Sequence, residues 1–121
     1  MAFPMIQFKA TNTELEGRLQ DLMEQRLHTL EKYLGDETDI RCEVEFEKVT
    51  SQNTGEIYRV ETNLFVAGKL FRAESTEMNF EEAIDEVRNE LDKELRRHNS
   101  KKDTMKKKGG QSIKKMMKAD E

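Results

Sequence analysis

Cysteine occurs once, proline once and tryptophan not at all in 121 residues. A single thiol, Cys42, excludes an intramolecular disulfide and a metal cage built of cysteines alone. It suits a reducing compartment. No apolar run approaches the ~20 residues of a membrane span. The opening stretch MAFPMIQFKATN has no basic segment leading into an apolar one, so no signal peptide is expected. Catalytic signatures are missing as well: there is no GxSxG, no HExxH and no glycine loop that would cradle a phosphate. His28 and His98 fall on the polar sides of different helical patterns, and no motif sets either beside Cys42. Cys42 itself alternates with Ile40, Val44 and Phe46, as a small core residue does. The expectation is a cytoplasmic, non-enzymatic chain without cofactor or metal.

What the chain has is charge. Charged residues make up 38% and apolar ones 35%, so part of the chain is expected outside the packed core. The formal net charge of −4 hides an asymmetry. Residues 1–100 carry 13 Lys and Arg against 22 Asp and Glu, whereas residues 101–121 carry 8 Lys against 3 acids. The first part is thus −9 and the last part +5, and distribution says more about partners than the total.

Hydrophobic periodicity divides the chain. FPMIQFKA, with Ile6 and Phe8 alternating, predicts a first strand, and Pro4 belongs at its start or on an edge. From Glu16 to Leu34, Leu19, Leu22, Met23, Leu27, Leu30 and Leu34 recur at steps of three and four, the apolar face of a helix. Thr13 with Glu16 suggests a capping box, and Gly35 a left-handed stop. DIRCEVEFEKVT alternates strictly, a strand with one wet face. SQNTG (51–55) reads as a turn. Tyr58, Val60, Thr62, Leu64 and Val66 mark a third strand, AGK a turn and LFRAEST a fourth strand. Asn79 with Glu82 caps a second helix carrying Phe80, Ala83, Ile84, Val87, Leu91 and Leu95 on one side. Beyond about Asn99 the pattern stops, and residues 103–121 read as a flexible Lys-rich tail. The order β-α-β-β-β-α, with both helices on one face of a four-stranded sheet, is a two-layer α+β domain over residues 1–102.

LDKELRRHNSKK (91–102) is the informative stretch. At ~100° per residue, Lys93, Arg97 and Lys101 share a solvent face, flanked by Arg96. Part of this is helix housekeeping: Glu81, Glu82, Asp85 and Glu86 sit early and the bases late, as the helix dipole prefers, and Asp92 can pair with Arg96. That accounts for one or two bases. It does not account for five in ten residues with six more lysines behind them. A polyanion such as RNA accounts for all of them, because each phosphate contact releases counterions. With no aromatic platform on that face, backbone and shape recognition is expected rather than base stacking.

KATNTEL, LHTLEKYL, FEKVT, FRAE, AID and LDKELRRHNSKK, in this order and spacing, carry a family likeness from about Met5 to Lys102. The chain resembles the ribosome hibernation factors, the short hibernation promoting factor and ribosome-associated inhibitor A. The resemblance implies a fold similar to double-stranded RNA-binding domains with an extra strand. It also implies binding between head and body of the small ribosomal subunit, in the path of mRNA and of A- and P-site tRNA, with steric inhibition of translation in stationary or stressed bacterial cells. By position, the RNA-binding residues it implies are Arg26 and Lys32 on the first helix, and Lys93, Arg97 and Lys101 on the second. Arg96 and Lys102 are added from the helical wheel and the charge cluster. The pattern departs from the family at Glu90, commonly a base, and at Glu94, usually Gln. The dimerisation domain of long family members is not contained in these 121 residues, so a monomer off the ribosome is expected.

Two rival readings stand beside this one. A regulatory protein-binding module of the sigma-factor-modulation type would use the acidic strand face of Glu43, Glu45 and Glu47. A single-strand RNA binder of the cold-shock kind would need the aromatic platform that is missing.

Overall fold

A computed structural model describes residues 3–49 and 57–118, with side chains to residue 101. The elements are β1 (Ile6–Thr11), α1 (Gly17–His28), β2 (Ile40–Lys48), β3 (Tyr58–Val66), β4 (Lys69–Glu77) and α2 (Phe80–Lys118), with a 3₁₀ turn at Glu31–Tyr33. The strands form one sheet in the order β1-β2-β3-β4. β1 runs parallel to β2, which the α1 crossover makes possible, and β2, β3 and β4 are an antiparallel meander. The α+β architecture expected from the periodicities is the one observed.

Alternation decides which side of each strand is buried. Cys42, Val44 and Phe46 of β2, Val60, Thr62 and Leu64 of β3, and Phe71 and Ala73 of β4 all face the helices and are buried. Against them lie Leu19, Met23, Leu27 and Leu30 from the α1 segment and Phe80, Ala83, Ile84, Val87, Leu91 and Leu95 from α2. Each such fully buried large side chain contributes about 1.5–3 kcal/mol relative to exposure. Phe46 is the aromatic centre, stacked on Phe8 at 6.1 Å and meeting Phe80 edge-on at 5.4 Å.

Local chemistry explains the boundaries, and two differ from expectation. α1 ends at His28 instead of reaching Leu34. Thr29 Oγ1 donates to the Arg26 carbonyl at 2.6 Å, and the amides of Thr29 and Leu30 bond three residues back instead of four. Leu30 and Leu34 stay buried, so the apolar spacing survives while the backbone tightens into the 3₁₀ turn. The capping box is not made: Glu16 is the N-cap and has no side-chain bond. Asn79 does cap α2, its Oδ1 accepting from the Glu82 amide at 2.8 Å. Gly35 has φ +57°, the left-handed stop expected of it. Ala67 and Gly68, with φ +50° and +83°, close a two-residue hairpin between Val66 and Lys69. The SQNTG turn lies outside the described residues.

α2 stays helical to Lys118, well past Asn99. The Lys-rich stretch has no proline to break it, and its Lys, Met and Gln are good helix formers that offset a Gly pair costing about 1 kcal/mol per residue. The last buried side chain of this helix among those described is Leu95. Among the described residues no helix is long and apolar enough to cross a membrane.

Cys42 is fully buried, and burial, followed by the charge of Glu43, pushes its thiol up to about 12. Among the described residues Thr62 is the one buried polar side chain, and its hydroxyl has no hydrogen-bond partner there. An unpartnered buried hydroxyl costs free energy that an isosteric methyl does not. Thr62→Val is therefore expected to raise stability by about 1 kcal/mol. Urea denaturation would show a higher midpoint at an unchanged slope, and a lower midpoint would contradict the assignment.

Candidate nucleic-acid interface

The register of α2 on the sheet settles where its polar residues go. With Leu91 and Leu95 in the core, Asp92 and Asn99 turn toward the 3₁₀ turn after α1, Lys93 turns to solvent, and Glu94, Arg97 and Lys101 turn toward the β4 edge. The two helices run side by side, tied by Arg18 to Glu81 at 2.7 Å, Arg26 to Asp85 at 2.8 Å, and Arg88 Nε to Thr29 Oγ1 at 2.9 Å. The Arg18 hydrogen bond holds the Glu81 carboxyl below its usual range. Farther along, the Tyr33 hydroxyl donates to Asp92 at 2.8 Å, and Asn99 donates to the Tyr33 carbonyl at 3.2 Å. The 3₁₀ turn is thereby fixed beside the middle of α2.

Each sequence-predicted residue now has a place. Lys93 and Arg97 are exposed, with 57% and 55% of their side-chain surface open. Arg96 and Lys101 are exposed on the same half of the helix. Lys32, contrary to expectation, is not on the first helix, because α1 ends at His28; it sits on the 3₁₀ turn with Nζ 5.3 Å from the Tyr33 ring centroid. Arg26 is held by Asp85, eight residues and so roughly 12 Å of helix before Lys93. The Lys102 side chain lies outside the described residues. The α2 bases and Lys32 thus gather around one end of the helix layer, while Arg26 lies nearer the other.

Most of these bases already have an acid partner. Lys93 faces Glu90 at 3.9 Å, Arg96 faces Asp92 at 3.9 Å, and Arg97 donates to Glu94 at 3.2 Å. The Lys93 and Arg97 pairs are exposed, and such pairs are worth about 0–1 kcal/mol, so they yield readily to a stronger anion. Sequence reasoning missed two bases. Arg88 lies between the helices, against Thr29 and Asp92. Lys69 opens β4 and, by alternation with Phe71, shares the helix side of the sheet; this could have been read from LFRAEST had the strand been begun one residue earlier. His98 also departs from expectation. It is half-buried with its ring edge-on to Phe71 at 5.3 Å, because Phe71 reaches under the last packed turn of α2.

The opposite sheet face is built differently. Arg59, only 17% exposed, lies among Glu45, Glu47, Glu61 and Glu74, with Glu47 at 2.9 Å and Glu45 at 3.6 Å. Arg72 adds bonds of 3.0 Å to both Glu61 and Glu74. Burial alone would raise the Glu61 carboxyl, but hydrogen bonds from Arg59, Arg72 and Asn63 hold it below the ordinary range. Burial works against the Arg59 charge, yet the Glu74 and Glu61 bonds prevail and its pKa rises. Lys9, Arg41, Arg59 and Arg72 nearly balance Glu43, Glu45, Glu47, Glu61 and Glu74 on this face. It is a neutralised lattice rather than an acidic patch. Among the described residues no cluster of three or more His, Cys, Asp and Glu could hold a metal ion.

The protein-family model described as "Sigma 54 modulation protein / S30EA ribosomal protein" matches residues 6–103. The chain belongs to that family. Its match spans every strand and α2 as far as the last described side chains. Among solved structures, the Thermus thermophilus Protein Y N-terminal domain is 22% identical with a TM-score of 0.65, over 76% of this chain and 94% of that one. A ribosomal subunit interface protein from Coxiella burnetii is 16% identical with a TM-score of 0.62, over 78% of this chain and 97% of that one. At these identities the likeness is one of fold. Comparison with curated proteins finds no match.

Arg59 gives a test of the sheet lattice. Arg59→Ala leaves four carboxylates around an empty centre, and stability at pH 7 is expected to fall by about 2–3 kcal/mol. A depressed carboxylate contributes stability fully above its unfolded value, for Glu61 the ordinary 4.5, and loses it as pH falls through the lower folded value. The deficit of the variant should therefore shrink in acid. Urea midpoints at neutral and acid pH measure it, and an equal deficit at both would contradict the electrostatic reading.

Proposed function

We propose that this protein is a ribosome hibernation factor. It docks on the small ribosomal subunit in the channel used by mRNA and by A- and P-site tRNA, and inhibits translation by occupying that space in stationary or stressed cells. Its place of action is the cytoplasm, and its partners are the small subunit and the whole ribosome. No bond is made or broken: the packed domain fills the channel, and bases at the end of the helix layer hold it against ribosomal RNA. The observation that carries this reading is the cluster of exposed bases on α2, mounted rigidly on the core of a domain matched by the family. The name of the Coxiella burnetii neighbour, a ribosomal subunit interface protein, supports it. Lys93, Arg96, Arg97, Lys101 and Lys102 form the main anchor, with Lys32 beside them and Arg26 at the margin. Residues 103–121 add further lysines, carried on the α2 helix as far as Lys118, that follow the RNA backbone when bound. The protein-binding reading draws support from the sigma 54 wording of the family description. It loses its physical basis in Arg59, which faces Glu45 and Glu47, and in Arg41, which faces Glu43, so that these acids have little net charge to offer a basic partner.

Co-sedimentation with separated subunits and whole ribosomes, at low and moderate salt, tests the proposal. The protein should pellet with the small subunit and be displaced by tRNA and mRNA. Its affinity should fall with salt at a log–log slope of about 0.7–0.9 per phosphate contacted. Reversing Lys93, Arg97 and Lys101 together to Glu should cost at least about a hundredfold in affinity and leave the circular dichroism unchanged. Unaltered affinity of that variant at matched salt rejects this surface.

Removal of residues 103–121 should leave the thermal midpoint of the domain in place, lower affinity by about three- to tenfold and flatten the salt slope. If affinity does not change, the tail is only a solvated appendage.

A further inference from the structure

Between β4 and the end of the packed part of α2 lies a small cleft of about 80 Å³, lined by Lys69, Phe71, Glu94, Arg97, His98 and Lys101. It is too small for a nucleobase or a cofactor and suits one tetrahedral phosphoryl group, either free or at the end of a longer anion. The ring of Phe71 forms its floor. His98 meets that ring edge-on at 5.3 Å, and Lys69 Nζ lies 5.5 Å from the same ring centroid. Sheet and helix thus each contribute a nitrogen donor held against one buried aromatic. Arg97 and Lys101, one helical turn apart, add a guanidinium and an ammonium on the far wall. The only carboxylate on the lining belongs to Glu94, and it accepts from Arg97 at 3.2 Å. Three positive charges therefore line the cleft with one negative charge, and the acid sits on the guanidinium best suited to a bidentate phosphate contact.

We propose that this cleft is a phosphate subsite that takes one backbone phosphate of an RNA, and that Glu94 holds its place in the free protein. On binding, the phosphate displaces the Glu94 carboxylate from Arg97 and receives donors from Lys69 and His98 as well. The identification of the polyanion as RNA rests on the function proposed above; the subsite itself rests on the geometry of the cleft. Glu94 is then a tuning residue. It keeps an over-basic helix end neutralised off the ribosome and sets a threshold that a lone, weakly held anion does not pass.

The full-length protein, titrated with inorganic pyrophosphate and followed by the ring resonances of both histidines, provides the test. His28, which pairs with Glu31 at 2.9 Å away from the cleft, is the internal control. The His98 resonances should shift saturably while those of His28 stay in place. Lys69→Ala should weaken pyrophosphate binding by about tenfold and Glu94→Gln should tighten it by about three- to tenfold, both with unchanged circular dichroism. Glu94→Gln should tighten ribosome binding in the same sense. Equal shifts of the two histidines, or no effect of either substitution on pyrophosphate, would overturn the subsite. Tighter pyrophosphate binding with no gain on ribosomes would overturn the assignment to RNA. A normal His98 response in a protein that fails to sediment with ribosomes would support the subsite and defeat the hibernation reading instead.

Discussion

The candidate interface depends on the burial of one stripe of α2. Phe80, Ala83, Ile84, Val87, Leu91 and Leu95 are all 5% exposed or less, and together they fix both the rotation and the height of the helix on the sheet. Rotation is the stricter of the two. A helix turns ~100° per residue, so a slip of one residue would swing Lys93 and Arg97 a quarter-turn around the axis. With the stripe seated, Asp92 must meet Tyr33, Lys93 must face water, and Arg97 must face the β4 edge. The placement of charge follows from the placement of carbon. This also separates the two halves of the helix: up to Leu95 it is held by packing, and past that point no buried side chain among those described anchors it.

Electrostatics is arranged in opposite ways on the two faces of the sheet. On the open face Arg59 and Arg72 are enclosed by carboxylates in several short bonds, and the charges serve the fold. At the end of the helix layer the Lys93 and Arg97 pairs are single and exposed, at 3.9 and 3.2 Å, while Arg96 stands 3.9 Å from an Asp92 already held by Tyr33. Such pairs contribute little to stability and little obstruction to exchange. They do keep a net-negative chain from displaying an unbalanced basic helix. A polyanion docking on this helix, as proposed, would have to displace Glu90 from Lys93 and Glu94 from Arg97.

Much of this was legible in the sequence because strand alternation and helix spacing report burial directly. Ile40, Cys42, Val44 and Phe46 face the core as their spacing requires, and so do the six apolar residues of α2. What escaped had a shared cause, namely dependence on neighbours distant in sequence. The end of α1 was hidden because Leu30 and Leu34 keep helical spacing through a 3₁₀ turn that Thr29 initiates. The role of Arg59 depends on the register that sets Glu47 opposite it and Glu74 one strand over, and register is not a local property. Lys69 and His98 were missed because Phe71, which joins them, lies on a different element from His98. The exposed bases of α2 were found because exposure on a helix is local and periodic.

The central claim is that α2, not the open sheet face, meets ribosomal RNA. The single cysteine makes a direct measurement practical. In a Cys42→Ser background, a cleavage reagent would be tethered either to α2 through Glu90→Cys or to the open face through Gln7→Cys, both exposed positions. Hydroxyl-radical cleavage of small-subunit RNA is then mapped for each. The account predicts strong cuts along the mRNA and tRNA channel from the α2 probe, and weak or distant cuts from the β1 probe. Strong channel cuts from the open face with none from α2 would mean that the domain binds the other way round, and that the basic helix is not its anchor.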